Sequence, residues 1–468
     1  MSHQPTERTT TLERGALGRF NVLSLALSGV SPTTSVFLLY GTALGLAGTG
    51  VIWSFLLAGV IAVCIAACFA ELGSIHHGSG GAYTIVRGVL GPVAGGVTNM
   101  LFLVSGLVVP ALVLVAAATF LHELVPALPV NLTALAMLAM IIMLSLGRIA
   151  AASWVAATLL ALEILVVLVF TVFCLTHTSP DIPNPLTHPV IAAGDHVGPV
   201  AVSAILLAVG PALFGYNGFD TPLYFDEEAR HSHKASAQAV LVAVGLGVGI
   251  QLVAVVAATF AIPDLREVAG TDVPLAVIAE HTMGPVGAKI MIVGVIVAMF
   301  AAALAVTLVY PRIIFAAARD GMWPGPLNAV FGRLSANQVP VYSILVCGVG
   351  NAVLCAFTSL TSLASFGGLL VMGLYVLIAV SALVSRVRDR HDERPLKMLW
   401  WPLPPLIALV GVLLAVKNQA PRDLAIVAGV LVVSTVAYAA ARRNLKPRIP
   451  SKGAAHDCDP TDSGAVTA

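Results

Sequence analysis

The sequence predicts an all-α integral membrane protein with twelve transmembrane helices, arranged as a 5+5 inverted repeat followed by two C-terminal helices. Three observations lead there. Of 468 residues, 58% are hydrophobic and only 10% are charged, against about 25% charged in an average soluble protein. Such a surface cannot be covered with polar groups, so most of the chain must face lipid or other helices. The apolar residues fall in runs of the ~20 residues that cross a bilayer at 1.5 Å rise each. Two of those runs, far apart in the chain, are interrupted midway by residues that a continuous helix avoids.

Taken in order, the spans are read at 20–46, 50–72, 92–122, 130–147, 153–176, 199–226, 235–262, 286–312, 340–358, 362–386, 400–417 and 422–441. Residues 1–19 are polar and read as a cytoplasmic tail; the first apolar run is too long for the core of a cleaved signal peptide. From residue 442 the chain is rich in charge, Pro and Gly and is expected to be a disordered cytoplasmic tail. Lys and Arg fix the orientation, because basic residues accumulate on the cytoplasmic side. With both ends inside, only Arg266, Lys289, Lys417 and Arg422 of the 24 basic residues fall outside. Net charge is +1, so no nucleic-acid partner is expected. Five of the six cysteines lie in apolar runs. Cys64 and Cys68 share a helix face, and without an accompanying His or second Cys pair they read as packing residues, not a metal site.

The first interruption is Ser31-Pro32-Thr33-Thr34-Ser35 in span 1; the second is Gly215-Tyr216-Asn217-Gly218-Phe219-Asp220 in span 6. Unwound backbone at membrane depth is tolerated only where protein buries it or a wet cavity adjoins it. Paired breaks at matching places in two halves of a chain point to the binding site of a carrier. Five spans separate the breaks, and an odd number inverts the second half. The repeats therefore occupy 20–176 and 199–386, and residues 400–441 lie outside them.

Four stretches in order resemble the amino acid–polyamine–organocation family of secondary transporters. Ala70-Glu71-Leu72-Gly73 with Gly80-Gly81-Ala82-Tyr83 is similar to the family loop after span 2, although His77 stands where Pro is frequent. Tyr216-Asn217-Gly218-Phe219-Asp220 with Asp226-Glu227-Glu228 resembles its span 6 signature. Arg312 with Arg319-Asp320-Gly321-Met322-Trp323-Pro324 resembles the segment after span 8. The break in span 1 takes the place of the family's substrate-carboxylate loop, with Thr33-Thr34-Ser35 where many amino acid carriers have a Gly-Ser-Gly-like turn; a turn with Pro and Thr also resembles amine carriers. The resemblance implies a LeuT-like fold and alternating access.

It also implies roles. Ser31, Thr33, Thr34 and Ser35 would hold an anionic end of the substrate. The carbonyls around Phe214, Tyr216, Asn217 and Gly218 would hold an ammonium, with Tyr216 closing over it as a gate. Glu163 lies in the middle of span 5 with no charged neighbour in sequence. A charge there costs about 2.5–3.5 kcal/mol on insertion scales, so an acid at that depth is a functional candidate. A carboxyl held away from water is easier to protonate, which makes Glu163 the candidate for proton coupling. Asp220 is expected to be a latch or an amine partner. Asp226, Glu227 and Glu228 lie at the cytoplasmic mouth with Arg230 and Lys234 and read as a solvated helix end, the alternative being a gate that pairs with Arg87 or Arg312; Glu71 is expected to anchor its loop. The proton is the expected coupling ion. Sodium is disfavoured because Thr307 is the lone hydroxyl near Ala301-Ala302-Ala303, and no cofactor or metal is expected. His76 and His77 read as surface residues.

The sequence therefore points to a plasma-membrane permease importing an amino acid or related amine with protons. The alternatives are an exchanger, or a putrescine-type importer. An enzyme is not expected, since no catalytic His/Asp or Ser/His set falls within the spans.

Overall fold

The computed structural model describes residue 12 and residues 15–441, except 148, 181, 194, 195, 231, 272, 359, 389–392, 418 and 420. The expected tails at 1–11 and 442–468, Cys458, and the basic residues Arg8, Arg14, Arg148 and Arg390 lie outside the described residues.

Pro32 decides the first element. It has no N–H to give and pushes the residue before it out of the helical region. The predicted span 1 therefore divides into α1 (Arg19–Val30) and α2 (Pro32–Ala47), with Ser31 left-handed between them at φ 40°, ψ 77°. Then follow α3 (Val51–Gly73), a short α4 (Ala82–Leu90), α5 (Pro92–Leu124), α6 (Val130–Ser145) and α7 (Ile149–Thr176). The loop beyond holds an antiparallel hairpin, β1 (Val190–Ala193) and β2 (His196–Pro199), with Val190 opposite Pro199. Span 6 becomes α8 (Val202–Gly215), a turn, and a 3-10 segment Thr221–Tyr224. The rest is α9 (His233–Phe260), α10 (Leu265–Ala269), α11 (Pro274–Arg319), α12 (Gly325–Phe331), α13 (Val341–Phe357), α14 (Leu360–Arg388), α15 (Leu403–Lys417) and α16 (Pro421–Ala441).

Seven of the described helical stretches are long and apolar enough to cross a membrane, and α6, α8, α13 and α15 are shorter apolar helices. The predicted span 286–312 is the part of α11 beyond a kink at Gly284, where φ is 73° and Pro285 follows. The ten helical residues before that kink, α4, α10, α12 and the hairpin were not predicted, because each is too short to carry a period.

The layers follow from burial. In the most apolar window of α5 and of α11, 78% of residues are buried, against 33% in α7 and 17% in α16. Thus α5 and α11 form the centre and α16 the rim. Leu162, Leu165, Leu168, Val172 and Phe173 of α7 are exposed, as a lipid-facing stripe should be, whereas Glu163 is fully buried. Small residues allow the closest approach. A Cβ on Gly218, whose φ is 106°, would lie 2.5 Å from the carbonyl carbon and oxygen of Gly29. The interruption in span 6 therefore packs backbone against backbone on α1, just before its own interruption.

Candidate functional site

The first break is built around an acid from another helix. Ser31 N–H donates to Leu27 O (2.7 Å), which closes α1, and Ser35 N–H donates to Ser31 O (2.9 Å), which opens α2. Glu163 of α7 reaches the gap. Its Oε1 accepts from Ser31 Oγ (2.7 Å) and from Thr33 N–H (3.1 Å), and its main-chain oxygen accepts from Thr33 Oγ1 (2.8 Å). Ser31 Oγ also lies 2.6 Å from Thr34 Oγ1. Ser31 Oγ is the donor in both contacts, and a hydroxyl has one proton, so Thr34 and the carboxylate compete for it. Ser35 Oγ donates to Val30 O at 2.9 Å. The carboxylate thus sits at the N-terminus of α2, where the helix dipole and free N–H groups favour an anion. Its other oxygen, Oε2, is buried and has no hydrogen-bond partner among the described residues.

The second break is held differently. Tyr216 N–H and Asn217 N–H turn back to Leu213 O (3.2 Å) and Phe214 O (3.0 Å). Gln251 Nε2 of α9 donates to Gly215 O (3.1 Å), and Tyr375 Oη of α14 donates to Asn217 Oδ1 (3.1 Å). Tyr224 Oη donates to Asp220 Oδ2 at 2.5 Å. Asp220 is buried, and among the described residues no Arg, Lys or His pairs with it. It lines a cavity of about 30 Å³ together with Phe102, Ser105, Asn217, Tyr224 and Tyr310. That is room for about two waters.

The predicted site residues therefore fall into two groups. Ser31, Thr33 and Thr34 gather on Glu163, and Ser35 turns back on Val30. Asn217, Gly218 and Asp220 meet at the cavity. Phe214 is buried against α14, its ring 3.3 Å from where a Cβ on Gly367 would sit. Tyr216 lies outside the cavity lining: its hydroxyl donates to Phe55 O (3.2 Å) and its ring meets Phe55 edge-on. Thr307 Oγ1 donates to Ala303 O (2.7 Å) within its own helix. The reading of the sequence missed Phe102, Ser105, Tyr224 and Tyr310. The scarcity of tyrosine in the spans (eight in the chain) was the available signal.

At the end of the bundle where α11 terminates, acids from the connection after Tyr224 meet arginines. Glu228 and Arg312 form a two-pronged pair at 2.7 and 3.0 Å, each 1% exposed, with the guanidinium 4.7 Å above the Phe225 ring. Glu227 receives Arg319 at 2.6 and 3.0 Å and Ser79 N–H at 3.0 Å. Burial raises the Glu227 carboxyl, but these donors outweigh it and hold the group below the usual carboxylate range. Arg87 pairs with Asp320, not with the acids after span 6, and Tyr83 Oη donates to the same carboxylate (2.9 Å). Glu71 takes Arg386 and Arg394 and the Met398 N–H, so it anchors the end of α14 and the next loop in addition to Ser74 of its own loop.

A model of the amino acid permease family matches residues 17–440. The chain belongs to the amino acid permease family. Similar proteins include a branched-chain amino acid permease of Bacillus subtilis, 25% identical over 429 residues, covering 86% of this chain and 87% of the relative. A low-affinity putrescine importer of Escherichia coli is 22% identical over 414 residues, with 86% and 89% covered. Among solved structures, a Na+-coupled sialic acid symporter in a substrate-bound outward-open state superposes with a TM-score of 0.58, at 11% identity and with 89% and 92% of the chains covered; it shares the fold. The permease is a multi-pass membrane protein of an amino acid and amine transport family, as its motifs led one to expect.

Proposed function

We propose that this permease is a secondary active transporter that imports an amino acid or related amine across the plasma membrane by alternating access, driven by protons. In this reading the chain crosses twelve times with both termini inside, spans 1–5 and 6–10 form the inverted repeats, and it catalyses no covalent chemistry. The observation that carries it is the pair of apposed breaks, each holding a buried acid without a cationic partner among the described residues. Glu163 is the coupling group. Protonation weakens its hold on Ser31 and Thr33 and frees the N-terminus of α2 for a substrate carboxylate; deprotonation returns the acid to that place. The small cavity beside Asn217 and Asp220 is the occupied volume of an occluded state, which widens as the breaks separate.

Asp220 supports a second reading, a cationic amine as substrate. A buried carboxylate among Tyr224, Tyr310 and Phe102 offers charge and aromatic faces to an ammonium. Proteoliposomes containing the purified permease test both. Uptake should follow an inward proton gradient, with no requirement for sodium. A panel of neutral amino acids, basic amino acids and diamines identifies the class. Absence of counterflow with every member of the panel would defeat the carrier reading, and counterflow without proton-driven accumulation would make it an exchanger.

A further inference from the structure

His77, the residue that departs from the loop pattern after α3, does not stand alone. Its ring stacks on that of His233 at the start of α9, with centroids 3.7 Å apart and planes 18° apart. His233 Nδ1 lies 2.5 Å from Asp226 Oδ2, and Ser236 Oγ donates to Asp226 Oδ1 at 2.8 Å. One ring nitrogen of each histidine and one carboxylate oxygen all lie within 4.8 Å of one another.

We propose that His77, Asp226 and His233 form a binding site for a divalent transition metal of the Zn2+ class, which clamps the end of the permease where α11 terminates. An imidazole nitrogen binds a metal in the plane of its ring, so one of the two rings has to swing out of the stack before both hold the same ion. Two imidazoles with one carboxylate select Zn2+, Ni2+ or Cu2+ over Mg2+ or Ca2+, which want oxygen ligands. Ligand atoms at about 2.0–2.2 Å from a tetrahedral ion stand roughly 3.4 Å apart, so the His233–Asp226 hydrogen bond opens as the metal takes the place of its proton, and the wider separations shorten. The two histidines are exposed, while Asp226 is buried and fixed by Ser236. That bond is the outer-shell contact that orients a ligating carboxylate. The fourth position faces solvent.

The site joins three segments: the loop after α3, the connection after Tyr224, and α9. The same loop and connection are already tied by Ser79, Glu227 and Arg319. A bound metal adds a stronger tie across them, so it slows the separation that transport requires. Asp226 and His233 lie seven residues apart, but His77 comes from a distant part of the chain, so spacing alone does not reveal the cluster.

The test is calorimetric titration of ZnCl2 into the full-length permease in nanodiscs, freed of any polyhistidine tag, alongside the variants His77→Ala, His233→Ala and His188→Ala. His188 is exposed in the loop that carries the hairpin and serves as the control. Saturable binding near one equivalent is expected, weakened at least tenfold by His77→Ala and by His233→Ala and unchanged by His188→Ala. Zn2+ should raise the Tm of the unaltered protein but not that of either cluster variant. Metal-free Tm values equal to the parent's establish that the variants fold. Absence of a one-to-one site, or a site indifferent to both cluster variants, overturns the proposal. The binding readout needs no transport, so it stands or falls apart from the carrier reading.

Discussion

The two breaks solve the same problem with opposite means. At the first, Ser31 and Thr33 direct a hydroxyl, an N–H and a second hydroxyl onto a single residue of α7, Glu163. At the second, the backbone turns back on itself and borrows donors from α9 and α14, and its own acid, Asp220, looks into a cavity. The first break is locked by a partner that can lose its charge. The second is held by donors from Gln251 and Tyr375, while its own acid is bonded by Tyr224 from the same segment. In the proposed carrier, switching belongs to the first and recognition to the second.

The largest expected effect comes from the contact between them. Gly218→Ala meets a positive φ and a 2.5 Å approach to Gly29, and should cost about 2–6 kcal/mol from backbone strain and overpacking together. The Tm in detergent checks it. If Gly218→Ala is neutral, the breaks are not in contact and the comparison fails. Next, Glu163→Gln keeps an acceptor for Ser31 and Thr33 but cannot release a proton. It should abolish proton-driven accumulation while counterflow persists, and unchanged pH dependence would remove Glu163 from coupling. Asp220→Asn keeps the Tyr224 bond but loses the charge. Cationic amines should bind at least tenfold more weakly while neutral amino acids are unaffected; a thermal-shift panel reads the difference, and equal losses for both classes would make Asp220 a structural latch.

The smallest effect is expected at Glu227. Its pair with Arg319 is partly exposed, so Glu227→Gln should lower stability by less than about 1 kcal/mol. A group held below its ordinary pKa contributes stability above that value and loses it only as pH falls through the lowered one. The pair is therefore constant between pH 5 and 8. Any change in transport over that window that disappears in Glu163→Gln belongs to the first break, and one that disappears in Glu227→Gln would reverse the assignment.

Both breaks were legible because Pro32 and Gly218 act locally: a missing N–H and a positive φ need no tertiary context. Glu163 was legible as a charge without a neighbour. Its destination was not, since the hydrogen bonds to Ser31 and Thr33 are set by how α7 packs on α1 and α2. For the same reason two of the four hydroxyl residues read as a substrate loop, Ser31 and Thr33, bind the protein's own acid. Tyr216 was placed by the resemblance and packs on Phe55, while the aromatics at the cavity come from three other elements. The acids after span 6 were expected to meet Arg87 or Arg312. Among the described residues Glu228 does so, through Arg312, while Tyr83 and Asp320 hold Arg87.

The touching main chains at Gly29 and Gly218 have a mechanical meaning. With no side chain between them to compress or flip, nothing cushions one segment from the other. On the proton-driven reading proposed above, whatever loosens at Ser31 when a proton arrives would be felt at Asn217 without delay, so the ion and the cargo would share one lever.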